Sequence, residues 1–270
     1  MTTFARDLVD SLDARWYEIN LLIAEAESRA SDIDLYNAIC RSVSVLMVAQ
    51  FEGFMRDAAK AVLDDINEFS SFRQSPPALK QTFSRSFLEK EDGASGREFQ
   101  SRVQRLIETF DGLEAKFTLD AFLVRDAQEY NKNPSPSVID KITEKFGVRK
   151  FFNVINGSDL DGVFSDTASE VAKLKDRIKS HVVAGTESYP YALNSASFNI
   201  GVDAGRLETA GGRSRTFWED FLDNIMSKRH GIAHGSISDN PNSVEEIRSS
   251  LLKLEILQLA ILMVVCEKAV

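Results

Sequence analysis

At 270 residues the chain is long enough to bury a substantial core, as one large domain or two small ones. Its 43% apolar and 27% charged residues are ordinary for a soluble globular protein, and sparse Gly (14) and Pro (6) beside 18 Phe favour helices over a turn-rich β-sandwich. The formal charge of −9 argues against wide, sequence-independent coating of nucleic acid, while leaving room for one local basic cleft and suiting a basic partner.

From Arg6 to Ala30, Leu8, Leu12, Trp16, Ile19 and Ile23 recur at spacings of three and four, which predicts a helix with one buried face. Ser31 and Asp32 punctuate it. A longer helix follows from about Ile33 to Phe69, with Leu35, Ile39, Val43, Leu46, Phe51, Phe54, Ala58, Val62 and Ile66 expected inward. Glu52 falls between Phe51 and Phe54, where a carboxylate is usually solvated or paired at the polar edge. Gly53, in mid-helix, costs on the order of 1 kcal/mol against Ala, so close approach of another backbone is expected there.

Pro77 is placed to open a helix through Lys90, and 91–96 reads as a loop. Helical pattern resumes from Arg97 to about Phe117, then from Leu119 to Tyr130, and again from Pro136 to Phe146 after an Asn- and Pro-rich turn. Leu160 to Val183 reads as a helix carrying Lys173, Lys175, Arg177 and Lys179, a cationic run read first as a solvated face balanced by Glu170 and Asp176 and second as a phosphate-tracking rail. His181 is expected to close this helix as a dipole-favoured cap. Residues 185–212 lose helical periodicity; Tyr191 to Ile200 alternates weakly, as in a short hairpin or an irregular loop. The Gly-rich 210–215, with Arg213 and Arg215, lacks the lysine of a phosphate-binding loop and reads as a flexible approach to the next helix.

Thr216 with Glu219 predicts a capping box, and Phe217, Phe221, Leu222 and Ile225 a buried stripe. That helix ends in Lys228-Arg229-His230-Gly231-Ile232-Ala233-His234-Gly235, where Gly231 and Gly235 are expected to loosen the backbone. After a polar loop over 236–243, the most apolar helix runs from Val244 to Lys268 with Ile247, Leu251, Leu254, Leu257, Ile261 and Val264 inward. Its stretch 251–265, interrupted by Lys253, Glu255 and Gln258, reads as a buried helix rather than a membrane span, which takes roughly 20 apolar residues. Cys40 and Cys266 lie far apart with no CxxC or Cys/His ligand spacing, and the first residues carry charge early, so a reduced, cytoplasmic protein without a membrane association is expected.

The chemistry concentrates at 228–235. An imidazole can take a proton from a ribose 2′-hydroxyl near neutral pH, and a guanidinium can hold the charge that builds on a phosphate. Arg229 and His234 lie five residues apart, about 140° on an ideal helix, so they share a face only if the backbone ends or bends between them. Neither HExxH nor a Cys/His quartet is present, which disfavours a metal site; no cofactor is expected.

The string from Lys228 to Gly235 resembles the signature of the HEPN superfamily, an arginine followed by a polar residue and then a histidine, and Phe51-Glu52-Gly53-Phe54 resembles the aromatic–Glu pattern of its RiboL-PSP and MAE-like branches. The resemblance implies an all-α, HEPN-like bundle spanning 1–270 as a single domain, with 70–212 as a helical elaboration whose autonomy the pattern leaves open. It implies a homodimer in which two motifs face one cleft and RNA is cut without metal to a 2′,3′-cyclic phosphate. Carried over, Arg229 and His234 are catalytic, His230 and Glu52 auxiliary, and Lys228, Arg213 and Arg215 RNA-binding. Two functions fit: an endoribonuclease acting as toxin or antiphage effector, restrained by an antitoxin or sensor protein, or a non-catalytic subunit that binds RNA or a partner.

Overall fold

The computed structural model describes residues 2–88, 96–123, 134–201, 215–235 and 242–270. The loop at 91–95, the expected helix beyond Leu123, Arg213 and most of the polar loop at 236–243 lie outside these residues. The described chain is all-α: α1 (Phe4–Ser28), α2 (Ile33–Phe69), α3 (Pro77–Arg85), α4 (Gly96–Gly112), α5 (Leu119–Phe122), α6 (Pro136–Lys145), α7 (Phe151–Ile155), α8 (Ala168–Gly185), α9 (Phe217–Ala233) and α10 (Val244–Lys268), with short 3-10 turns at Asp159–Phe164 and Ser195–Phe198.

Three long helices start where a Ser or Thr side chain caps the backbone and a Glu three residues on reaches back. Thr167 and Glu170 open α8, Thr216 and Glu219 open α9, and Ser243 and Glu246 open α10. Each box satisfies two N–H groups that a helix end otherwise leaves without partners. In α10 every residue from 256 to 266 is buried, so this helix is surrounded rather than half-exposed. It packs against α8, α2 and α1, and Trp16 Nε1 donates to the buried Gln258 Oε1 across the α1–α10 contact at 3.0 Å. With 25 residues α10 is in fact long and apolar enough to cross a membrane, as is α2; what occupies its surface here is the rest of the bundle.

The periodicity of α1 and α10 places all the expected residues in the core, whereas Leu35 and Leu46 on α2 are exposed, their face being taken by Cys40, Val43 and Met47. Gly53 meets nothing: a Cβ built there would have no neighbour within 4 Å, so the expected close approach is absent. On α9 the buried stripe is Trp218, Leu222, Ile225 and Met226, and Phe217 turns out to solvent.

The segment between α2 and α8 is threaded by phenylalanines. Phe72, Phe83, Phe110, Phe117, Phe122 and Phe146 form a continuous series of ring contacts at 5.0–5.9 Å. Asn67 of α2 fastens the extended backbone beside them, accepting from Phe117 N at 2.8 Å and donating to Phe117 O at 2.9 Å. Apart from Val103 of α4, the buried hydrophobic residues of this segment join those of the long helices in one contiguous cluster.

Helices in the middle of the chain end earlier than the pattern suggested. The expected helix through Lys90 stops at Arg85, that through Phe117 stops at Gly112, and that from Leu160 begins as a 3-10 turn before α8 starts at Ala168. His181 lies inside α8 rather than at its end; its Nε2 accepts from Asn194 N at 3.3 Å and its ring meets Phe198 edge-on. The cationic run on α8 is ion-paired, Lys175 to Glu255 at 3.1 Å, Arg177 to Asp159 and Lys179 to Asp13 at 2.6 Å, in keeping with a balanced face rather than a phosphate rail.

No hairpin forms at 190–200; among the described residues there is no strand. Tyr191, Leu193, Phe198 and Ile200 are all buried against the helices, and the backbone bonds locally, Ala192 N to Gly185 O at 2.9 Å and Asn199 N to Ala196 O at 3.0 Å. The chain passes so close to α8 that a Cβ on Gly185 would lie 2.3 Å from Leu193 Cδ2.

Tyr191 completes a buried polar knot. Asp65 of α2, fully buried, accepts from Phe4 N at 2.7 Å, Ala5 N at 2.9 Å and the Tyr191 hydroxyl at 2.6 Å. Burial pushes this carboxyl up while the three donors pull it down. Removing it strands two helix-start N–H groups and a phenol. Asp65→Ala is therefore expected to lower unfolding free energy by about 2–3 kcal/mol, and Tyr191→Phe, which leaves the two backbone bonds in place, by about 1 kcal/mol, both read from urea unfolding at pH 7. Gly53→Ala is expected to act the other way, raising stability by about 0.5–1 kcal/mol in the same assay, since the new methyl group meets open space and the helix gains propensity.

Candidate active site

Helix α9 carries the motif out of the bundle at its C-terminal end. Its capping box fixes where it starts, and Trp218, Leu222, Ile225 and Met226 hold it on α2. From there the helix continues without a break through Gly231, which is buried, to Ala233. His234 is the C-cap, its N–H donating to His230 O at 3.0 Å, and Gly235 follows with φ +67°, the left-handed conformation that commonly ends a helix. The expected loosening at Gly231 does not occur; the backbone turns only at Gly235.

An unbroken helix leaves Arg229 and His234 separated by about 140°. The close pair is instead His230 and His234, one turn apart, whose rings lie 4.2 Å centroid to centroid at an interplanar angle of 48°. Both imidazoles are exposed. Arg229 is half-buried, and its Nε is fully enclosed with no hydrogen-bond partner among the described residues. A buried guanidinium N–H without an acceptor carries an uncompensated desolvation cost.

Lys228 points elsewhere. Its ammonium donates to Asn242 Oδ1, and Asn242 Nδ2 donates in turn to Ser44 Oγ on α2 at 3.1 Å. Val244 N donates to the Tyr36 hydroxyl at 3.1 Å, so two residues of α2 anchor the start of α10 beside the end of α9. Glu52, also on α2, is exposed, and no hydrogen bond or ion pair joins it to the motif among the described residues. Arg215 sits at the opposite end of α9, bound to Asp220 at 2.9 Å and to Asp223, and these carboxylates, Asp223 first, hold its pKa above the usual arginine value. The structure thus gathers Lys228, Arg229, His230 and His234 at one end of α9 and leaves Arg215 at the other. Asn242, Ser44 and Tyr36 escaped the sequence reading because their role exists only once α2, α9 and α10 meet. The two-histidine pair was legible as an i, i+4 spacing.

Among the described residues no group of three or more His, Cys, Asp or Glu is placed to hold a metal ion. An all-α bundle that presents an arginine and two histidines at the end of one helix agrees with the HEPN-like arrangement that the sequence resemblance implies. The chain belongs to the RiboL-PSP-HEPN family, whose model matches residues 10–261. The match runs through the middle segment as well as the motif-bearing helices. HEPN membership associates the chain with ribonuclease-type or RNA-related function. Comparisons with curated proteins and with solved structures gave no match.

Asn242→Ala would cut the link between Lys228 and Ser44; a loss of about 1–2 kcal/mol in thermal or urea unfolding, with far-UV helicity retained, is expected.

Proposed function

We propose that this protein is a metal-independent endoribonuclease working as a homodimer. The observation that carries the reading is the end of α9: two exposed imidazoles in contact beside an arginine whose enclosed Nε has no partner. His234 takes the proton from a ribose 2′-hydroxyl as the 2′-oxygen bonds to phosphorus. Arg229 stabilises the charge on the phosphorane oxygens, and a second imidazole, as imidazolium, protonates the departing 5′-oxygen as its bond to phosphorus breaks. The products are a 2′,3′-cyclic phosphate and a 5′-hydroxyl.

A second copy has a defined task in this scheme. Arg229 and His234 of one chain diverge along an unbroken helix, so two helix ends related by a two-fold axis would set the arginine of each beside the histidine of the other. His230 orients the substrate or supports its neighbour His234. Lys228, with Arg213 and Arg215, would contact the RNA backbone, Arg215 by exchanging its carboxylate partners for phosphate, and Glu52 would act only from the partner's side of the cleft. The acidic body suits restraint by a basic antitoxin or sensor, as for a cytoplasmic toxin or antiphage effector. The alternative, a regulatory subunit that binds RNA without cutting it, draws on the divergence of Arg229 and His234 within one chain.

Purified protein is expected to cleave single-stranded RNA in excess EDTA, leaving cyclic phosphate ends. His234→Ala and Arg229→Ala should each lower the rate at least about a hundredfold without changing the melting temperature much. Undiminished cleavage by both variants removes these residues from the mechanism; RNA binding without cleavage by the native protein selects the regulatory reading.

A further inference from the structure

Phe217, the first residue of α9, is 65% exposed although it belongs to a cluster of aromatic rings. Phe164 meets Phe217 at 5.6 Å, the buried Trp218 at 5.0 Å and Phe221 at 6.1 Å, so Phe217 is held by packing on one side and open on the other. Lys253 of α10 reaches into the same cluster. Its ammonium lies 5.3 Å from the Phe164 ring centroid and 5.6 Å from that of Phe221. It makes no ion pair or hydrogen bond among the described residues, and burial lowers its pKa. Cation–π contact is the only compensation visible for that partly desolvated charge.

An exposed flat ring packed on Phe164, and a cation over that same Phe164 ring, match a ligand with planar faces and repeated negative charge. The exposed side of α9 runs from Phe217 through Asp220, Asn224 and Ser227 to His230. Thirteen residues of helix separate the two ends, about 20 Å. We propose that Phe217, supported by Phe164 and Phe221, is a stacking platform for an unpaired base of single-stranded RNA, with Lys253 contacting an adjoining phosphate, so that the strand is held a few nucleotides away from His230 and His234. This rests on the RNA reading of the histidine end and adds a second contact to it. The platform reads no sequence, because every base offers a π-face; it selects unpaired strand over duplex, whose bases are already stacked.

The test uses the native chain with fluorescently labelled 2′-O-methyl RNAs, which lack the nucleophile and stay intact, in two lengths: about twelve nucleotides, long enough to span both contacts, and about three, too short to do so. Phe217→Ala and Lys253→Gln are each expected to weaken the longer RNA about tenfold in anisotropy titrations and to leave the shorter unchanged. Lys253→Gln alone should flatten the salt dependence, by about 0.7 in the log–log slope. Native protein that binds the longer RNA while both variants match it overturns the platform and leaves the ribonuclease reading standing. Equal loss for both lengths overturns it too, as does a Phe217→Ala protein that changes from dimer to monomer by size exclusion, which would assign this face to protein contact. Native protein that binds neither RNA overturns both.

Discussion

Successive residues on an α-helix turn by about 100°, and in α9 nothing interrupts that rotation before Ala233. This constraint orders the chemistry of the molecule. It brings His230 and His234 onto one edge in contact with each other, and it sends Arg229 to a different side, where its Nε is enclosed without an acceptor. The proposal of a second copy draws on this divergence of Arg229 from His234 along one helix.

The end of α9 can be placed so definitely because the helices beneath it are tied to one another by polar groups at their starts. Tyr36 and Ser44 of α2 receive the first residues of α10, and Asn242 connects that junction to Lys228. At the other end of α2, Asp65 supplies acceptors to the first N–H groups of α1. These contacts from a neighbouring helix add to the local caps, Thr3 on α1 and the Ser243–Glu246 box on α10. They give α2 its central place: one helix positions the beginnings of two others.

Charge is distributed to match. The cations of α8 face carboxylates across helix contacts, and Arg215 is held by Asp220 and Asp223. Arg229 and Lys253, by contrast, make no ion pair among the described residues, which is what the proposed contacts with a polyanion draw on. Each is partly withdrawn from solvent, where a phosphate oxygen gains more than it does at an open surface.

The amino-acid sequence by itself determined that the protein is helical, where α1, α6 and α10 run, and which residues carry chemistry at 228–235. These rest on local information: apolar spacing, a proline at the first turn, and a motif written in consecutive residues. The sequence reading placed the capping box of α9 alone; those of α8, Thr167 with Glu170, and α10, Ser243 with Glu246, emerge in the structure. Tertiary structure decided the rest. It chose which apolar residues of α2 and α9 are covered, leaving Leu35, Leu46 and Phe217 outside, because burial depends on where a neighbouring helix lies and not on hydrophobicity alone. It replaced the expected hairpin at 190–200 with a buried irregular segment, because Tyr191, Leu193, Phe198 and Ile200 all found helix surfaces to pack on and the backbone closed its hydrogen bonds locally. It also kept α9 helical through Gly231, where a glycine alone would have favoured a bend: the packing of that buried turn outweighs the propensity cost of roughly 1 kcal/mol.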